Sequence, residues 1–389
     1  MNTDIAKLYH IAQANRRTIL GLMSGTSLDG LDLALCHFEG CGTSTKVQLL
    51  HFQTITYSIE TKNLIREVFA QTQIDLGKLT LLHNFLGNLF AEMVLETLQT
   101  WKVKPAEIDC IASHGQTVFH APKRLHQQPN FGNATLQIAD ADQIATKTGI
   151  ITLSDFRQKH IAVGGEGAPL AIYADYLLFS SPQEDRILLN IGGIANFTYL
   201  PKNQNANQII ATDVGVGNTF LDYFCQKYFD IPFDKKGQIA QTGKLIPELL
   251  QQLFTLDFFE QPFPKSTGQE TFANAWVEQI IQSDFQAISP QDLLCTLTHF
   301  TVEGIWQAIQ KLNLTESTLY VSGGGAYNTF MMNLLNQKIK TYLFDHLGIP
   351  AEAKEAVLFA LLANETLAGS TIALGNISKV CMGKISLPN

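Results

Sequence analysis

The sequence predicts an α/β protein of two related domains. Short β-rich runs alternate with long stretches of helical apolar spacing. A strand, a glycine-containing turn and a second strand stand near the start, and the same order returns after Arg186. At 389 residues the chain exceeds one ordinary core. With 46% hydrophobic and 16% charged residues and a mean hydropathy of +0.05, it has the composition of a well-packed globular protein.

"TILGLM" and "LDLALCHF" read as strands around the turn of "GLMSGTSLDGLD", residues 21–32. "KLTLLHNFLGNLFAEMVLETLQTW" places apolar residues at helical intervals, and "IDCIAS" follows as a strand. After Arg186, "RILLNI" and "IANFTYL" flank Gly192 and Gly193, then comes the strand "QIIAT" and several helices. One helix opens at "SPQD", with Ser289 as N-cap, Pro290 in the first turn and Asp292 near the positive end. "NQNANQ", residues 203–208, reads as a polar loop tip, and the crossover between domains is expected near "GIITLSDFR". The expected division is residues 1–153, completed by a C-terminal helix of about 355–389, and residues 154–354, with a ligand cleft between the two.

A net charge of −8 excludes an extended nucleic-acid or anionic-membrane surface, which needs clustered Lys and Arg. The six cysteines are scattered without metal-like spacing, so neither a disulfide framework nor a zinc site is expected. "MNTDIAKLYHIAQANRR" lacks the charge order of a signal peptide and no run reaches membrane-spanning length, so a cytoplasmic location is expected. No G-x-x-x-x-G-K-[ST] string occurs, which excludes a P-loop.

The opening turn offers an alternative. Ser24, Gly25, Thr26 and Ser27 can present N–H and hydroxyl donors to phosphate oxygens, although an exposed Asp-Gly hairpin explains the same residues. Asp29 and Asp32 suit a phosphate site only with a cation such as Mg²⁺ between, held through water; no direct metal ligand is assigned. "IASHGQT", "ATDVGVGN" and "YVSGGGAYN" repeat the pattern of a strand ending in small residues. Asp213, before Gly215 and Gly217, suits a general base or, equally, a helix N-cap. Gly323 to Gly325 would let a nucleotide come close, or simply form a tight turn. His114 is a candidate donor to a substrate hydroxyl or a structural group, Arg157 a planar donor fork or an ion-pair partner, and Glu355 a first-turn helix acid.

Eight strings in order, "GLMSGTSLDGLD", "SHGQTVFH", "LQIADADQIA", "SDFR", "GGEGAPL", "LNIGGIANFT", "KSTGQETF" and "SGGGAYN", closely resemble the anhydro-N-acetylmuramic acid kinases over nearly the whole chain. The resemblance implies two actin-like (RNase H-like) domains with an interdomain cleft for ATP and sugar. It implies opening of a 1,6-anhydro ring with phosphorylation of O6, using ATP and Mg²⁺, in cell-wall recycling by a homodimer. On that footing Gly25, Thr26, Ser27, Leu28, Asp29, Gly30, Leu31 and Asp32 match the nucleotide phosphate site, and Gly192 and Gly193 are also expected to bind nucleotide. Gly323, Gly324 and Gly325 match the adenosine side, Asp213 the base, and Arg157 and Glu355 the sugar site, where His114 is also assigned. The chain departs from the family pattern at Val214 and Val216 beside Asp213, and at His160, Glu166 and Ala139. A kinase for another anhydrosugar such as levoglucosan, or a nucleotide-binding sensor without turnover, is the alternative.

Overall fold

The computed structural model describes residues 2–268, 271–371 and 380–389, so part of "KSTGQETF" lies outside the described residues. The chain divides into two compact units, Met1–Leu178 with Glu352–Asn389, and Phe179–Ala351. The division expected after residue 153 thus falls after Leu178. β-strand Thr152–Ser154 bonds into the first sheet, and the helix that follows it packs on that sheet's hairpin, so this segment stays with the first unit.

In the first unit the strands are β1 (Arg16–Ser24), β2 (Gly30–Glu39), β3 (Lys46–Thr56), β4 (Cys110–Ala121), β5 (Ala134–Ile138) and β6 (Thr152–Ser154). Their order is β6-β4-β1-β2-β3, with β5 paired to β4 and Lys384–Ser386 added beside β6. β1 runs antiparallel to β2 and parallel to β4, and β4 parallel to β6. β1 is central, so Ile19, Leu20 and Leu22 are buried on both faces and the strand reads as a continuous apolar run.

One face of this sheet is covered by helix Leu76–Trp101. Asp75 caps it by accepting from the N–H of Lys78, and it ends at Lys102 in the left-handed conformation. Leu82, Leu86, Phe90 and Val94 form its buried stripe at intervals of one turn, each contributing about 1.5–3 kcal/mol of burial. Helix Lys354–Leu367 packs on β1, buried from Ala356 through Glu365. Contact is close because Gly21 has no side chain: a Cβ there would lie 1.9 Å from the Ala356 carbonyl oxygen.

The second unit contains β7 (Arg186–Ile191), β8 (Ile194–Leu200), β9 (Ile210–Val216), β10 (Thr318–Ser322) and β11 (Thr341–Leu343), ordered β11-β10-β7-β8-β9. β7 is antiparallel to β8 and parallel to β10, and β8 is antiparallel to β9. Both units therefore place their first strand centrally, a two-strand antiparallel meander on one side and parallel strands on the other. This is the RNase H-like order, present twice. Helix Pro290–Lys311, N-capped by Ser289, lies across the second core, where Phe272 meets Phe220 and Phe258 edge to face and Phe300 stacks on Phe220.

Candidate functional site

In the first unit the candidate residues converge on the end of β1. Ser24 is the last residue of the strand, and Thr26, Ser27 and Asp29 are exposed in the turn after it. Leu28 is buried at φ 59° and anchors the turn, its N–H reaching the Gly25 carbonyl at 3.4 Å. Gly30 must be small, since a Cβ there would lie 2.1 Å from the Ile55 carbonyl oxygen, and Leu31 is fully buried.

Beneath the turn runs a buried chain of hydrogen bonds. Tyr57 Oη donates to Ser24 Oγ at 2.7 Å, and Ser24 Oγ donates to Gln116 Oε1 at 2.5 Å. Gln116 Nε2 in turn donates to the carbonyls of Thr117 at 3.0 Å and Gly25 at 3.3 Å. Sequence reasoning assigned no role to Tyr57 or Gln116. Gln116 stood inside a quoted motif, but only the β1/β4 register, Ser24 opposite Gln116, reveals its use.

His114 was expected at a strand end. β4 instead continues to Ala121 because β5 pairs with it, and His114 is buried in mid-strand. Its Nδ1 lies 2.9 Å from the Gly115 carbonyl and its Nε2 accepts from Arg157 Nε at 2.9 Å, which assigns a neutral ring protonated at Nδ1. Burial, reinforced by the Arg157 charge, depresses its pKa to about 3. Arg157 also donates to the Gly167 carbonyl at 2.7 Å. Glu355 is exposed in the first turn of its helix, where Ala353 holds the N-cap without a side-chain bond. Desolvation by surrounding protein raises its pKa, Arg157 opposes this and Asp32 adds to it, so these three charges share one neighbourhood.

The departures from the family pattern have local explanations. His160 is buried, its Nδ1 accepting from the Gly167 N–H at 2.9 Å, and it packs under Gly165, so it shapes the loop whose carbonyl holds Arg157. Glu166 is paired with Arg124 at 3.2 Å. Val214 and Val216 are buried in the second core. Ala139 adopts φ 90°, a region that favours glycine.

In the second unit, Asp213 lies within β9 and Asn218 takes the N-cap position of helix Thr219–Phe229, which removes the capping explanation. Asp213 is half-buried. Its Oδ2 accepts from the Thr267 N–H at 2.7 Å, its own N–H donates to the Lys265 carbonyl at 2.9 Å, and Oδ1 has no partner among the described residues. Desolvation raises its pKa while the Thr267 bond opposes. A carboxylate steered through one oxygen and open at the other has the geometry to accept a proton. Thr267 was quoted in a motif without a role.

The turn Gly192–Gly193 is tied to that helix, with Gly217 N–H on the Gly193 carbonyl and Asn218 N–H on the Gly192 carbonyl, both at 2.8 Å. Gly323, at φ 82°, packs on Asn190 and Ile191, which puts Gly323–Gly325 beside the same turn. Beside it lies a cavity of ≈480 Å³ lined by Asn218, Asp222, Phe233, Lys235, Gly324 and Tyr327 among others. Its size suits a nucleoside. Among the described residues no group of three or more His, Cys, Asp or Glu could hold a metal ion, and no helix is long and apolar enough to cross a membrane.

Two RNase H-like units with glycine turns at the ends of their central strands define the actin-like class of α/β proteins. A sequence profile described as anhydro-N-acetylmuramic acid kinase matches residues 17–384. The chain belongs to the anhydro-N-acetylmuramic acid kinase family. The protein of that name from Pseudoalteromonas translucida (strain TAC 125) is 48% identical over 398 residues, covering 99% of each chain. That from Pseudoalteromonas atlantica (strain T6c / ATCC BAA-1087) is 46% identical over 401 residues and covers 100% of both. Among solved structures, the activator of the 2-hydroxyisocaproyl-CoA dehydratase from Clostridium difficile with bound ADPNP is similar with a TM-score of 0.43 at 12% identity, covering 90% of this chain and 96% of that one.

Proposed function

We propose that this chain is an ATP-dependent kinase that opens 1,6-anhydro-N-acetylmuramic acid and phosphorylates its O6, yielding N-acetylmuramic acid 6-phosphate and ADP in cytoplasmic cell-wall recycling. Family membership over residues 17–384 supports the substrate pair and is the basis for expecting a homodimer. The observation that carries the chemistry is Asp213, half-buried, steered by the Thr267 N–H through Oδ2 and open at Oδ1.

In this reading Asp213 takes a proton from a water as that water's oxygen bonds to C1 of the sugar. The C1–O6 bond breaks, O6 bonds to the γ-phosphorus, and ADP leaves. Phosphoryl transfer asks the protein chiefly for alignment and charge neutralisation, which N–H and hydroxyl donors of the Gly25–Asp32 turn and the Gly192–Gly193 turn can supply. His114, buried and neutral, holds Arg157 so that the guanidinium faces the sugar together with Glu355.

The residues fit Mg²⁺ arriving with ATP rather than a resident metal cage. Asp29 and Glu352 both raise the Asp32 carboxyl, after burial, so negative charge is concentrated where a hydrated cation would be welcome. Mg²⁺, when bound, would neutralise phosphate charge. Mass spectrometry of products formed in ¹⁸O-labelled water tests the whole scheme. Label at C1 with phosphate at O6 is expected; phosphorylation without label rejects coupled hydrolysis, and turnover of levoglucosan in preference to the muramic sugar rejects the substrate.

A further inference from the structure

Asp222 is a half-buried carboxylate of the second unit. It lies one turn after Asn218 on helix Thr219–Phe229, the two linked by the Asp222 N–H on the Asn218 carbonyl at 2.8 Å. Both line the ≈480 Å³ cavity of the second unit. Among the described residues its carboxylate has no hydrogen bond or ion pair, and burial alone pushes its pKa up to about 6. An unpaired, half-buried carboxylate is costly and is expected to find a donor.

The lining of the cavity points to the donor. In its lining, Asn218 is bonded to the Gly192–Gly193 turn, which the proposed nucleotide site uses for phosphate. Two exposed aromatic rings, Phe233 and Tyr327, line the same cavity, and a flat base can stack against them. Asp222 is displaced from Asn218 by one helical turn, about 6 Å along the axis. In a nucleotide the group between phosphates and base is the ribose, whose vicinal 2′- and 3′-hydroxyls are two donors set for the two oxygens of one carboxylate.

We propose that Asp222 recognises the ribose diol of the nucleotide, accepting hydrogen bonds from the 2′- and 3′-hydroxyls and thereby selecting ribonucleotides over deoxyribonucleotides. This rests on the nucleotide reading of the second unit and adds to it the group that is read. A first-turn acid serving only the helix dipole would affect stability and leave nucleotide choice untouched.

Calorimetric titration of the full chain, without sugar, with ATP, 2′-deoxy-ATP and 3′-deoxy-ATP tests this. The wild type is expected to lose about tenfold in affinity for each hydroxyl removed. Asp222→Asn and Asp222→Ser, checked for folding by circular dichroism, are expected to bind ATP as weakly as the wild type binds the deoxy forms and to bind all three nearly alike. Unchanged discrimination in both variants, or none in the wild type, overturns the ribose assignment while leaving the kinase reading intact. A wild type that binds ATP not at all overturns the nucleotide site itself.

Discussion

Arg157 Nε donates to Nε2 of His114 at 2.9 Å, so a guanidinium is held by a ring that must remain neutral to accept it. The bond explains why burial of His114 is tolerated and gives a pH signature. In the folded chain the His114 pKa falls from its ordinary 6.5 to about 3. Between those values the unfolded chain takes up a proton that the folded chain refuses, so protons favour unfolding. Stability from this group is complete above 6.5 and is lost as pH falls toward 3. His114→Gln keeps an acceptor for Arg157 and removes the titration. Its urea midpoint should drop less than the wild type's between about pH 7 and about pH 5; equal drops would contradict the assignment.

Asp213→Asn should lower kcat by about 10²–10⁴-fold with little change in ATP affinity, since in the proposed mechanism Asp213 contributes only when water is activated. Because desolvation raises this carboxyl, the acid limb of kcat/KM should lie above the ordinary carboxylate value of 3.8. Steady-state kinetics across pH decides; an Asn variant with wild-type turnover would remove Asp213 from the mechanism.

Gln116→Leu leaves the Ser24 hydroxyl without its acceptor and withdraws the donor from the Gly25 carbonyl, whereas Tyr57→Phe removes one donor only. The first change should cost about 1–3 kcal/mol, the second about 1 kcal/mol or less. KM for ATP should rise more in Gln116→Leu than in Tyr57→Phe. The reverse order would mean that the buried chain does not steer the turn.

Ala139 holds φ 90°, a conformation that costs an L-residue about 1–2 kcal/mol. Ala139→Gly relieves that cost and adds unfolded-state entropy, so a net gain of up to about 1 kcal/mol is expected from urea unfolding. Gly21→Ala acts in the other sense, because the added Cβ would lie 1.9 Å from the Ala356 carbonyl oxygen. A loss of about 3 kcal/mol is expected. A Gly21→Ala protein as stable as wild type would show that β1 and its helix separate freely.

Local chemistry made much of the fold readable. Apolar runs marked β1, β2, β7 and β8, apolar spacing marked helix Leu76–Trp101, and Ser289 caps the helix it was expected to cap. These depend on residues within a few positions of one another, which a sequence displays directly. The repeated strand-turn-strand opening likewise announced two related units, and the quoted motifs announced the family.

Relations set by strand pairing and packing were decided only in three dimensions. The boundary after Leu178 follows from contacts that hold residues beyond 153 to the first sheet, Arg157 on His114, Gln158 on the Thr135 carbonyl and Asn133 on the Gly165 carbonyl, which no local pattern records. His114 sits in mid-strand because β5 prolongs β4, Gln116 reaches Ser24 through the β1/β4 register, and the Thr267 N–H meets Asp213 from 54 residues away. A one-residue change of the β1/β4 register would turn Gln116 to the opposite face, away from Ser24. Sequence alone determined which elements form and which family they belong to; the chain's long-range pairing determined which carboxylates, rings and amides face one another, because those distances belong to the packed sheets and not to any segment.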